Sequence, residues 1–193
     1  GPQRLRHGGR PSGRAGDHRD DPPLLPAVAQ RLLRRRRPQP RPGPAHAARP
    51  YRWRSAIATG ASLYGDLQGE GWPVEQTRQA LAEAKRLRPF MLADYYRLNA
   101  VTTAAHDWSA HQFHDPQTDA GYALFFRRHE SPFPTLEAQL QGLDPAATYE
   151  VVRREGYDEA SCETMSGQEL TSLVVTICER PGTLLVEYQK TSR

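Results

Sequence analysis

Cysteine is scarce in this chain, and its first 50 residues contain no lysine, glutamate or aromatic residue. Only Cys162 and Cys178 occur, without the paired spacing of a metal site. One disulfide is arithmetically possible, but two reduced, partly buried thiols in a cytoplasmic protein are the favoured expectation. No stretch approaches the ~20 apolar residues of a membrane helix, so no membrane contact is expected. The N-terminus lacks the charged start and apolar core of a signal peptide.

What is present divides sharply at Pro50. Residues 1–50 hold 12 Arg against three Asp, a net charge of +9. The other 143 residues carry 14 Lys+Arg against 19 Asp+Glu, a net −5, together with all 16 aromatic residues. The mean hydropathy of −0.74 is low for a compact domain, and discounting the first 50 residues brings the remainder toward a normal globular composition.

Residues 1–50 admit three readings. Arg34-Arg35-Arg36-Arg37 followed by a Pro-rich run could neutralise phosphates as a nucleic-acid-binding arm. No aromatic residue interleaves the arginines, so base stacking is unavailable. The segment could be disordered, because Pro, Gly and Arg bury too little surface to offset chain entropy. It could also be a GC-rich gene translated out of frame. With suitable codons, a one-base shift of Val28 through Leu33 reads Trp-Arg-Ser-Asp-Tyr-Cys. The same shift near the start reads Asn-Ala-Cys-Ala-Thr-Gly-Gly-Gly-Arg.

After Pro50 the chain patterns like a folded body. Gly69-Glu70-Gly71-Trp72-Pro73 punctuates it, and Pro73 suits the first residue of a helix. Val74, Thr77, Ala80, Leu81, Ala84, Leu87 and Met91 recur at helical spacing, with Glu75, Gln79, Glu83 and Arg86 opposite. A helix over about 73–91 is expected, ended or kinked by Pro89. From Trp108 the period becomes two. Strands are expected over 108–113, 121–126, 136–140, 148–153, 170–178 and 183–188, with a type II turn at Pro181-Gly182. Short strands with such turns indicate an antiparallel sandwich.

Four segments then form an ordered series: GDLQGEGWPVEQTRQALAEAKRLRPFMLADYYRLN, WSAHQFHDPQTDAGYALFFRRHES, LQGLDPAATYEVV and SGQELTSLVVTICERPGTLLVEYQK. Together, over about residues 51–190, they resemble the C-terminal end of glycoside hydrolase family 36, the α-galactosidase-like enzymes. The resemblance implies a mostly β chain. A C-terminal antiparallel β-sandwich (107–193) follows the end of a (β/α)8 barrel (51–106), after a disordered Arg/Pro-rich segment (1–50). It implies a parent that hydrolyses α-galactosides with two aspartates and retention. The family's acid/base aspartate lies in an Arg-Ser-Asp motif, preceded by a Cys-Ala-x-Gly-Gly-Arg segment. Both belong upstream of the matched region, and the nucleophile's strand is absent. No catalytic residue carries over to any position here, so the chain is expected to be inactive alone. No cofactor is expected. Carbohydrate is the partner implied, through the parental barrel, and nucleic acid is not expected beyond non-specific polyanion binding by residues 1–50.

Several residues invite sharper readings. His106, His111 and His114 suggest a metal, but a strand points His111 and His114 to opposite faces, which favours surface or core roles. Asp94 and Asp107 could be read as a glycosidase pair; turn or helix-end carboxylates are the plainer reading. Trp108, Tyr122, Phe125 and Phe126 could be read as a sugar-stacking platform; core aromatic residues are commoner, and Trp108 is kept as the one possible sugar contact. Tyr51 and Trp53 are expected to pack on a barrel, and to form an exposed apolar patch without one. The rival functions are a stand-alone carbohydrate-binding sandwich and a nucleic-acid-associated protein acting through the arginine tail.

Overall fold

Eight antiparallel strands build two sheets in the computed structural model, which describes residues 49–58, 72–158 and 160–191. These residues belong to one compact unit, Pro42–Arg193. The readings of residues 1–48 as arm, disordered segment or out-of-frame translation lie outside the described residues. Strands β1 (Asp94–Arg97), β2 (Ser109–Asp115), β3 (Ala120–Arg127), β5 (Thr148–Arg154), β6 (Ser161–Ser166) and β8 (Gly182–Lys190) form one sheet in the order β1-β2-β3-β8-β5-β6. Strands β4 (Thr135–Ala138) and β7 (Leu173–Thr176) form a second, two-stranded sheet. The chain is mostly β.

Pleating gives the large sheet two apolar faces. Ala110, Ala123, Phe125, Tyr149, Val151, Leu184, Val186 and Tyr188 point to the core shared with Ala138, Leu173 and Val175 of the small sheet. Phe113, Tyr122, Leu124, Phe126 and Leu185 point the other way and form a second cluster with Leu87. Strand β3, between β2 and β8, is therefore buried along all eight residues. A strand covered on both faces reads as a continuous apolar run, which is how 121–126 stands in the sequence.

The second face is covered by helices α1 (Pro50–Ile57) and α2 (Val74–Leu87), and by a 3-10 segment, Arg88–Leu92. Alanine, leucine and long polar side chains favour α2 intrinsically. Glu75 in its first turn and Lys85 and Arg86 in its last complement the helix dipole. Pro73 stands one position earlier than expected, as the N-cap. The α-helix stops at Leu87, and Pro89 lies in the 3-10 segment, since a proline lacks the N–H that would continue the ladder.

Other expectations need correction. Tyr51 and Trp53 pack on the sheet rather than awaiting a barrel: Trp53 is buried, and Tyr51 meets Phe126 edge-on at 5.4 Å. Of the expected helical stripe, Ala80 and Leu87 are buried, whereas Val74 and Leu81 are exposed. Glu83, placed on the outer face by its spacing, is buried. Cys162 and Cys178 are free and exposed, not partly buried. The Arg180–Pro181 bond is cis, and Gly142, not Gly182, is the described glycine with positive φ. Gly182 is required for another reason: a Cβ there would strike Ile177 and the Glu179 carbonyl.

Candidate functional site

Arg54 and Glu83 organise the most specific polar constellation among the described residues. Arg54 lies on α1 between Trp53 and Ile57, which face the sheet, so its side chain enters the interior. Its Nε and one terminal nitrogen donate to the two carboxylate oxygens of Glu83 on α2, at 2.8 and 2.9 Å. The remaining donors reach the backbone carbonyls of Arg154, Glu155 and Gly156, each at 2.9 Å. All five guanidinium N–H groups are thereby used. The Tyr157 ring lies 5.9 Å from the guanidinium carbon. Burial pushes the Tyr157 phenol above its ordinary pKa, with the Glu83 charge adding to the rise. At the rim, Gln79 donates to Asp158, and Arg86 and Arg154 both pair with Glu187. The helices are thus bonded to the end of β5 and to Glu187 within β8.

Beside this junction lies a cavity of about 390 Å³. Four segments meet there: the start of α1 (Arg49 to Tyr51), the end of β5 (Glu155, Gly156), the β7–β8 connection and the start of β8 (Gly182, Thr183). Glu179 and Pro181 come from the connection. Arg54 holds one wall in place through its bonds to the Arg154–Gly156 carbonyls. The start of α1 has no side-chain cap and no acidic residue in its first turn. Tyr51 is half-buried, and its phenol is raised above the ordinary value by burial, against the opposing charge of Arg128. Thr183 is 6% exposed, and its hydroxyl has no hydrogen-bond partner among the described residues.

The residues singled out in the sequence do not gather into a second site. Trp108 is 7% exposed in the core and donates its indole N–H to the Phe133 carbonyl, which leaves little ring face for a sugar. His114 is buried and stacked on Tyr188, whereas His111 lies on the opposite face of β2, bonded to the Tyr95 and Ser109 hydroxyls. His106 is exposed beside Asp107. Asp107 accepts from Thr102 in the loop before β2, and Asp94 starts the edge strand β1, facing Tyr96. Among the described residues no three His, Cys, Asp or Glu side chains are grouped to hold a metal ion. Arg54, Glu83 and Thr183 escape the sequence reading. A charged residue flanked by Trp53 and Ile57 on one helical face was the available signal for Arg54.

No family profile matches the sequence, and no curated protein matches it either. Solved structures do. The galactosidase domain of the α-galactosidase–sucrose kinase AgaSK superposes with a TM-score of 0.56 and 20% identity, over 80% of this chain and 21% of that one. The fold is shared with an α-galactosidase. Two GH36 α-galactosidases from Geobacillus stearothermophilus match more loosely. AgaB has 21% identity over 63% of this chain and 16% of its own, with a TM-score of 0.46. A variant of AgaA in complex with raffinose has 18% identity over 63% of this chain and 17% of its own, with a TM-score of 0.49. The chain thus corresponds to about a fifth or less of the α-galactosidases it resembles.

Proposed function

We propose that this chain is the accessory sandwich of an α-galactosidase-like glycoside hydrolase, carrying the helical end of the barrel in residues 51–106 and the sandwich in 107–193. The observation that carries the reading is the AgaSK superposition, which covers most of this chain but only 21% of that one. In the parent, two aspartates on the barrel would cleave terminal α-galactosides with retention, one as nucleophile and one as acid/base. This chain would supply neither. Its part is mechanical: α1 and α2, bolted to the sheet by Arg54 and Glu83, hold the end of the barrel against the sandwich. Carbohydrate is met through the parental barrel, and a cytoplasmic location belongs to the same reading. No described helix is long and apolar enough to cross a membrane.

The coding DNA tests this. Translated in three frames, it should restore Cys-Ala-x-Gly-Gly-Arg and Arg-Ser-Asp-Tyr ahead of Tyr51 in a shifted frame. If no frame contains those motifs, the parental-hydrolase reading loses its catalytic half and fails.

A further inference from the structure

We propose that the free edge of β6 pairs with the same edge of a second copy of this chain, antiparallel and centred on Cys162. The proposal goes beyond the hydrolase reading and does not depend on it. Strand β6 ends the six-stranded sheet and is paired on one side only, with β5. Residues 160–164 are exposed in succession. The direction of each backbone group follows from the ladder. The Gly167 N–H bonds the Ala147 carbonyl, on the rung that follows the Thr148–Ser166 pair. Bonded and non-bonded rungs alternate in an antiparallel pair, so Ser161, Glu163 and Met165 turn their backbone groups to β5. Cys162, Thr164 and Ser166 turn theirs outward. The Glu169 carboxylate takes the Ser166 N–H, whereas no described residue takes the N–H or the carbonyl of Cys162 or Thr164.

This edge carries none of the devices that keep sheet edges apart. It has no proline, no lysine and no break in its register with β5. Its one charged side chain, Glu163, is tied to Arg153 on β5. The opposite edge, β1, is shorter and has a charged residue at each end, Asp94 and Arg97. A regular edge with open donors and acceptors accepts another strand, and its own copy offers both in equal measure.

Charge and bonding together select the register. Centred on Glu163, the pairing would set two carboxylates directly opposite, which is unfavourable. Centred on Thr164, it would call on a Ser166 N–H that Glu169 already holds. Centred on Cys162, it sets Cys162 against its copy, Thr164 against Ala160 and Glu163 against Ser161. Arg153 is the β5 neighbour of Ser161. Each Glu163 therefore has its own Arg153 on one side and, across Ser161, the second copy's Arg153 on the other. That charge complementarity, added to the open backbone groups, makes a second copy the occupant that fits.

Sedimentation equilibrium of the full 193-residue chain, with its thiols reduced, should show a concentration-dependent balance of monomer and dimer. Thr164→Pro removes an outward N–H from both halves of the interface, a change an edge strand tolerates. It should raise the dissociation constant at least about tenfold. A second measurement leaves β6 unaltered and so stands even if Thr164→Pro fails to fold. Across the axis the two Cys162 Cα atoms would lie about 5.5 Å apart, within the reach of a disulfide. In Cys178→Ser, diamide should link two chains through Cys162, the two thiols giving two protons and two electrons to the diamide N=N bond. In Cys162→Ser, the exposed Cys178 should give no linked dimer. Three results overturn the proposal. One is a monomer at every concentration. Another is a dimer as tight in Thr164→Pro as in the parent chain, with the far-ultraviolet spectrum unchanged. The third is linkage through Cys178 and not through Cys162.

Discussion

At the scale of single residues, Arg54 carries more than any other described side chain. It joins two helices to the end of a strand with one planar group, and its burial is tolerable only because every donor is used. Removing the partner should be costly. Glu83→Ala leaves a buried guanidinium without its counter-charge and should lower stability by about 3–5 kcal/mol in urea unfolding. Arg54→Lys should not restore the junction, since an ammonium offers three donors from one point where five bonds fan out from a fork. Stability unchanged in either variant would mean that the junction contributes little. Glu83 could not be placed from its own helix, where it falls opposite the apolar stripe. Its burial depends on Arg54, 29 residues earlier.

His111 belongs to the same scale. Burial holds its imidazole below the ordinary pKa, and the positive charges of Arg97 and Arg128 press it lower still. The folded state therefore binds this proton less readily than the unfolded chain does. Its stabilising share is complete above about pH 6.5 and is lost as pH falls through the lower folded value. Unfolding midpoints at about pH 7.5 and about pH 5.5 should differ, and the difference should shrink in His111→Gln. An equal difference in both proteins would assign the pH dependence elsewhere.

Among the elements, the central strands were legible and the edges were not. Strands β3 and β8 are buried along nearly their whole length, so their apolar runs announce them. Strand β6 is exposed or half-exposed at every position, and the edge strand β1 is similar. Neither has an apolar alternation to read. The four-residue helix α3 (Gly167–Leu170) was missed although its start is written in the chain. Ser166 and Glu169 form a reciprocal capping box, the Ser166 hydroxyl accepting from the Glu169 N–H and the Glu169 carboxylate accepting from the Ser166 N–H. Burial of Leu170 in the core ties this short turn to the sandwich. Ser166→Ala should cost about 0.5–2 kcal/mol, with no change in the far-ultraviolet spectrum of the folded protein. A loss of strand signal in that spectrum would show that the box also holds β6 in register.

For the whole molecule, sandwich architecture was readable from periodicity, but the position of the helices was not. Tyr51 and Trp53 looked like docking residues for a missing barrel because they are the first aromatic side chains after the change of composition at Pro50. Their partner is the second face of the sheet, whose Phe113, Tyr122, Leu124 and Phe126 alternate with the core residues of the same strands. That second apolar face was present in the continuous run of β3, yet nothing local to the strand says which segment covers it. What remains outward is the other side of α2, where Val74 and Leu81 are exposed, and Leu92 just beyond it. The proposed function has this module position a catalytic barrel without contributing to the chemistry.

The most direct test of that claim is hydrolysis of an aryl α-galactoside by the purified 193-residue chain. A non-catalytic sandwich releases no galactose above the enzyme-free rate. Release that Asp94→Asn or Asp107→Asn abolishes would contradict it, and would place an active site in the chain itself.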